Sequence, residues 1–257
     1  MLGAIAGDII GSIYESDPIK TKDFPLFGEG ATFTDDTVCT AAVADCILEQ
    51  GNFATFLKRY CRRYPGRGYG AWFAHWLASD DLAPYGSFGN GAAMRVSPVA
   101  WLARDEAEAL ELARRSAAAT HDHPRGIAGA QATVLAMWRA REGAPPEAIR
   151  AEIAARFGYD LNRSVEAIRP RYRFDETCDG TVPEALVCAL EAADYEDAVR
   201  NAVSLGGDAD TLACIAGGLA EGLYGLPEDV AEQARGHLDP ELQGQVARFY
   251  AAAGPVG

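Results

Sequence analysis

The sequence predicts an all-α protein, a compact multi-helix bundle built as one domain over residues 1–257. Three observations lead there. Apolar residues recur at helical spacing, as in Phe53, Phe56, Leu57, Tyr60, Cys61 and Tyr64, or Leu212, Ile215, Leu219 and Leu223. No run alternates apolar and polar residues for long enough to argue a strand, and no repeat or low-complexity tract breaks the pattern. Start and stop residues punctuate the helical stretches, with Asn52, Asp105 and Pro145-Pro146 at starts and Gly51 and Gly158 at ends. A chain of 257 residues, 49% of them hydrophobic, has the material for one substantial core.

Taken in order, Leu2 to Glu15 reads as a helix with Leu2, Ile5, Ile9 and Ile13 on one side and Gly3, Gly7 and Gly11 on another. Such a glycine line permits close helix packing, and Glu15 continues it, either as a solvated helix end or as a carboxylate facing a cleft. Asp17 to Thr32 reads as a loop, and Val38 to Gln50 as a helix closed by Gly51. Asn52 starts a strongly amphipathic core helix. Gly70 to Ala78 is a short helix in which His75 reads as a packed histidine. A glycine-rich loop, Pro84 to Gly91, precedes a helix from about Ala92 that Pro98 is expected to bend after its first turns. Asp105 with Glu108 forms a capping box for a helix to Ala119, and a second helix follows from Arg125 to Glu142. Pro145-Pro146 opens another, stopped by Gly158. Arg169 to Thr181 reads as an irregular charged connection, before helices at Pro183 to Ala193 and Tyr195 to Ser204, the long one after Asp208, and a helical tail from Glu228 to Ala253.

Composition narrows the function classes. A net charge of −14 argues against a duplex-binding surface, because neutralising phosphates takes clustered Lys and Arg. An anionic ligand would need a metal or backbone amides. The six cysteines show no zinc spacing and read as reduced core residues, while no leader or membrane-length apolar run is evident. These features give the expectation of a cytoplasmic, monomeric protein with no nucleic-acid or membrane partner.

Two helix mouths are overloaded with oxygen ligands. Ser204-Leu-Gly-Gly-Asp-Ala-Asp-Thr211 places Asp208, Asp210 and Thr211 at the start of one, and Phe33-Thr-Asp-Asp-Thr37 places Thr34, Asp35 and Asp36 at the start of another. Each aspartate has an ordinary reading as an N-cap. Carboxylates this close repel, however, unless something positive lies between them. If the two mouths converge, Thr34, Asp35, Asp36, Asp208, Asp210 and Thr211 form an all-oxygen cage for two divalent cations, Mg²⁺ or Mn²⁺ rather than zinc. The loop Gly86-Ser87-Phe88-Gly89-Asn90-Gly91 adds backbone N–H groups before a helix, an arrangement suited to phosphate, with a flexible turn as the plainer alternative. His121 is a ligand-contact candidate, and His123 reads as structural or exposed.

Together these stretches resemble the ADP-ribosylglycohydrolase family, which includes the dinitrogenase-reductase-activating glycohydrolases and the ADP-ribosyl-acceptor hydrolases. The resemblance runs through Gly3-Ala-Ile-Ala-Gly-Asp-Ile-Ile-Gly to Glu15, Phe33-Thr-Asp-Asp-Thr37, Gly86-Ser-Phe-Gly-Asn-Gly-Ala-Ala-Met-Arg95, Thr120-His121 and Ser204 to Thr211. It implies a compact orthogonal bundle and a dinuclear Mg²⁺ site held by Thr34, Asp35, Asp36, Asp208, Asp210 and Thr211. It also implies ADP-ribose lying along Ser87, Phe88, Gly89 and Asn90, with amides from Gly86 to Gly91 at the diphosphate and His121 in the same cleft. The implied reaction breaks the C1″ glycosidic bond between ADP-ribose and an acceptor, Glu15 protonating the leaving group and Asp35 or Asp36 serving as base. Ser-Phe-Gly-Asn-Gly with Thr-His is similar to the branch acting on serine-linked and polymeric ADP-ribose, while the arginine-directed branch shares the metal motifs. Two rival classes are a di-magnesium phosphohydrolase and a non-catalytic ADP-ribose-binding protein.

Overall fold

A computed structural model describes residues 1–254, and among them the chain is all-α, as the sequence predicts. The first half contains α1 (Leu2–Gly11), α2 (Asp35–Leu48), α3 (Phe53–Arg63), α4 (Ala71–Ala78), α5 (Gly91–Met94), α6 (Ser97–Leu102) and α7 (Glu106–Ala118). The second contains α8 (Pro124–Arg141), α9 (Pro146–Phe157), α10 (Val165–Ile168), α11 (Cys178–Leu190), α12 (Tyr195–Val203), α13 (Ala209–Tyr224), α14 (Glu228–Gly236) and α15 (Pro240–Ala253).

The centre of the bundle is the pair α1 and α13. Every residue of α1 is buried, and α13 is buried from Ala209 to Glu221. The glycines of α1 explain the closeness. A Cβ on Gly7 would lie 2.0 Å from the carbonyl oxygen of Ala213, one on Gly11 2.4 Å from that of Ala209, and one on Gly3 2.7 Å from that of Gly217. The partner line on α13 is therefore Gly217, Ala213 and Ala209. Gly218 and Gly222 face Met137 and Ala140 of α8 instead, and Gly225 meets nothing within 4 Å. Helices α8, α11 and α12 pack around the other sides of α13.

Several expected boundaries shift for local reasons. The first helix stops at Gly11 and tightens into a 3₁₀ turn, Ser12–Tyr14, which delivers Glu15 at its end. Pro98 does not bend a helix but sits at the N-terminal turn of a new one, where its missing N–H costs nothing. Helix α11 begins five residues before Pro183, capped by the Thr177 side chain, so the proline lies inside it. Asp105 caps α7 through the Glu108 amide, but the Glu108 carboxylate reaches back to the Arg104 amide rather than that of Asp105. The tail is two helices, and His75 is exposed rather than packed. All six cysteines are free and buried. No helix among the described residues is long and apolar enough to cross a membrane.

Lys20 fastens the loop after Glu15. Its ammonium donates to the carbonyls of Arg169 at 2.9 Å and Tyr172 at 2.8 Å, and also to that of Leu205 just before the Gly-Gly turn. Three separate segments are thus joined beside Asp208. In that turn Gly206 has φ +61, and a Cβ there would strike the Ile19 carbonyl oxygen at 2.6 Å.

Candidate active site

The mouth of α2 is built around a residue of α1. Asp8, with no solvent exposure, accepts hydrogen bonds from the Thr34 amide at 3.0 Å, the Thr34 hydroxyl at 2.6 Å, the Thr37 amide at 3.1 Å and the Thr37 hydroxyl. A carboxylate from one helix thereby satisfies the open amides of another and suits the positive end of its dipole. Thr34 is the side-chain cap of α2, accepting from the Asp36 amide. The Asp35 amide donates to the Arg67 carbonyl at 2.8 Å, and the Arg67 guanidinium lies 3.7 Å over the Phe33 ring. Asp35 and Asp36 are therefore relieved of capping, and their carboxylates are available for other work.

At the opposite mouth Asp208 occupies the cap position of α13 yet makes no capping hydrogen bond. It accepts instead from the Asn90 carboxamide at 2.6 Å. The two mouths meet: the Thr211 hydroxyl donates to Asp36 Oδ2 at 3.3 Å across 175 residues of sequence. Oxygens of Asp8, Asp36 and Asp210 lie within 4.8 Å of one another, and so do oxygens of Glu15, Asp208 and Asp210, so two carboxylate triads share Asp210.

Among the described residues, no ion pair reaches any of these carboxylates; the basic side chains are bound elsewhere, as Arg59 and Arg248 are to Asp45. Burial and mutual repulsion raise their proton affinity. Burial with the charges of Asp8 and Asp208 pushes Asp35 up to about 8. Asp36 and Asp210 are driven well above the usual carboxylate range by burial and their acidic neighbours. Glu15, which keeps part of its surface in solvent, is raised by partial desolvation and then by Asp208 and Asp8. One oxygen, Asp36 Oδ1, is buried and has no hydrogen-bond partner among the described residues. A crowded all-oxygen set with an orphaned oxygen and no counter-cation suits a hard divalent metal.

The cluster opens into a cleft of about 530 Å³ whose far wall is the glycine loop. Gly86 (φ +71) starts the loop, and a bridge between Gly89 and Thr177 holds it against the entry to α11. Three of its amides are already engaged: Gly86 with Asp122, Gly89 with the Ser87 hydroxyl, and Asn90 with the Glu176 carbonyl. Among the described residues, the amides of Ser87, Phe88 and Gly91 in this loop have no acceptor. Phe88 is 45% exposed and tilted against His123 at 5.3 Å. His123 caps α8 by accepting from the Arg125 amide, a structural role. His121 is buried in the cleft wall, and burial followed by the Arg95 charge drives its pKa well below 6.5, so the ring is neutral. Asn90 belongs to both walls, since it springs from the loop and grips Asp208.

Sequence reasoning passed over several residues. Asp8 stands inside an apolar helix, and its only sequence signal is that a lone buried charge needs partners. The aromatic rim, Trp72 at 77% and Phe174 at 55% exposure, also lines the cleft, as does Glu176. The rim aromatics sit in segments whose placement depends wholly on the tertiary fold.

Comparison with known proteins agrees with this geometry. The profile of the family described as ADP-ribosylglycohydrolase matches residues 1–255. Among curated proteins the chain is similar to ADP-ribosylhydrolase ARH3 of Danio rerio, 28% identical with 88% of this chain and 82% of that protein covered. It is also similar to ADP-ribosylarginine hydrolase Tri1 of Pseudomonas putida, at 25% identity over 88% of this chain and 70% of that one. Among solved structures, one described as an ADP-ribosylglycohydrolase-related protein complex superposes with a TM-score of 0.75 at 27% identity, covering 98% of this chain and 96% of that one.

Proposed function

Because the chain belongs to the ADP-ribosylglycohydrolase family, and with it to the hydrolases of glycosidic bonds, we propose that it is a Mg²⁺-dependent enzyme cleaving the C1″ bond between ADP-ribose and an acceptor. Serine-linked or polymeric ADP-ribose is favoured, and arginine-linked ADP-ribose is the alternative acceptor class. The observation that carries the proposal is the pair of carboxylate triads sharing Asp210, unbalanced by any basic side chain and facing a cleft walled by a glycine loop.

Thr34, Asp35, Asp36, Asp208, Asp210 and Thr211 would hold two cations, Mg²⁺ or Mn²⁺, and these would supply Lewis acidity and positive charge to the reaction. The protein's own groups do the rest. The Ser87, Phe88 and Gly91 amides, with His121, receive the diphosphate, and Phe88 offers an exposed ring for the adenine. Asp35 or Asp36 takes the proton from water. Glu15, with its raised pKa and its place at the solvent side of the cluster, gives a proton to the departing acceptor as the bond opens toward an oxocarbenium-like state. The same closeness to Asp208 and Asp210 supports a second role for Glu15 as a cation ligand.

The test is incubation with serine-linked, arginine-linked and polymeric ADP-ribose in Mg²⁺, in Mn²⁺ and in EDTA. Release of intact ADP-ribose that stops in EDTA is the expected result. Release of AMP would make the protein a phosphohydrolase, and tight ADP-ribose binding without turnover would make it a binding protein.

A further inference from the structure

Arg95 is the largest fully buried side chain in the protein, 1% exposed, and among the described residues no carboxylate pairs with it. One terminal nitrogen donates to the Ser116 carbonyl at 2.7 Å and to the Thr120 hydroxyl at 2.9 Å, while Nε has no partner among the described residues. A buried unpaired guanidinium is costly, so what it touches deserves an explanation. The Thr120 oxygen also lies 2.7 Å from His121 Nδ1.

Proton directions follow from donor capacity alone. Arginine can only donate, so the Thr120 oxygen accepts from it. Among the described residues, His121 Nδ1 is the only other partner of that hydroxyl, so its hydrogen goes there. Nδ1 then accepts, and the neutral ring must carry its proton on Nε2. The opposite tautomer would strand the threonine hydrogen in a buried site. Nε2 has no acceptor among the described residues. It lies where a Cβ on Gly91 would come to 3.1 Å and one on Gly89 to 3.4 Å, beneath the gap between those two glycines.

We propose that Arg95 and Thr120 are positioning residues that fix His121 as the Nε2–H tautomer, so that it presents a hydrogen-bond donor between Gly89 and Gly91 to the diphosphate of the ligand. The ligand class rests on the function proposed above; the tautomer does not. Because arginine cannot reverse its hydrogen bonds, the direction of the chain is locked. An anion arriving at the loop meets a proton rather than a lone pair.

The wild-type protein, with Mg²⁺ and ¹⁵N-labelled histidine, tests this directly by long-range ¹H–¹⁵N correlation at pH 7, with His121 assigned by its loss in His121→Asn. The expected spectrum shows a protonated Nε2 and a bare Nδ1. A protonated Nδ1, or an imidazolium, overturns the proposal without any variant having to fold. Thr120→Val should then lose the tautomer preference and weaken ADP-ribose binding by about tenfold or more, as suits one hydrogen bond to a charged group. Thr120→Ser should restore both. A folded Thr120→Val protein that binds ADP-ribose as tightly as wild type refutes the positioning role. Failure of the wild type to bind ADP-ribose, with the expected spectrum intact, counts against the assigned ligand and overturns the diphosphate half of the proposal.

Discussion

Gly11→Ala probes the link between fold and site most sharply. The added methyl would lie 2.4 Å from the Ala209 carbonyl oxygen and 2.5 Å from the Asp210 Cα, where ordinary contact begins at 3.4 Å. Both obstacles are backbone, so α1 and the first turn of α13 must separate by about 1 Å, roughly the size of misplacement that can cost 100-fold in rate. Overpacking of this kind costs about 1–3 kcal/mol, against about 1 kcal/mol gained from replacing glycine in a helix. The net expectation is a loss of up to about 2 kcal/mol, or a fall of up to roughly 8 °C in melting temperature for a chain of this size. The separation also moves Asp210, which both carboxylate triads share, so Mg²⁺ affinity measured by calorimetry should fall as well. Gly7→Ala is the comparison, since its methyl would strike Ala213 at 2.0 Å, further along α13 from the carboxylates. It should destabilise at least as much while disturbing Mg²⁺ binding less. Gly244→Ala in α15, with nothing within 4 Å, should be neutral or stabilising. Unchanged melting and Mg²⁺ affinity in Gly11→Ala would refute the claim that the glycine contact sets the metal geometry.

Asp8→Asn replaces one of two acceptor oxygens with a donor, so at least one of the hydroxyl or amide hydrogens that Thr34 and Thr37 give to Asp8 loses its acceptor. It should cost about 1–3 kcal/mol in chemical denaturation and raise the Kd for Mg²⁺; a variant with wild-type Mg²⁺ affinity would show that Asp8 serves the fold alone. Metal-free protein should lose stability as pH rises. Asp35 sits at about 8 in the fold against 3.8 as a free side chain, so the folded state holds the extra proton, and its contribution is full below about pH 4 and lost through pH 8. Melting in EDTA from pH 5 to 8.5 should show that decline, flattened in Asp35→Asn, and Mg²⁺ should stabilise most at the alkaline end. Asp210→Ala should abolish Mg²⁺-dependent stabilisation, whereas Glu15→Gln should keep Mg²⁺ and ADP-ribose binding and lose turnover. If Glu15→Gln weakens Mg²⁺ binding in step with the rate, Glu15 is a cation ligand and the proton comes from elsewhere.

Much of the fold was legible because local signals decide local structure. Asn52, Asp105 and Gly158 mark the ends they were expected to mark, through a cap on Thr55, a cap on Glu108 and a left-handed φ of +76. The glycine line of α1 announced a close partner. It did not say which face of that partner would arrive, since α13 carries glycines on two faces and only packing chooses between them. Proline was similarly ambiguous: Pro98 opens α6, and Pro183 is tolerated inside α11, because a helix start lies one residue before the first and five before the second.

The surplus of carboxylates was legible for a different reason. Four aspartates in two short runs exceed what capping can use, and the fold shows the excess directly: Thr34 caps α2, and Asp208, at the cap position of α13, makes no side-chain cap bond. Asp8 and Arg95 carried no such surplus. Each is a single charge in an apolar stretch, and a single charge becomes informative only once its partners are known. Asp8 finds two amides and two hydroxyls, which turn it toward holding Thr34 rather than toward catalysis. Arg95 finds a carbonyl and a hydroxyl and no acid. A charge left unneutralised in the interior needs a compensating use, and for Arg95 the hydroxyl leads to the one buried histidine in the cleft wall.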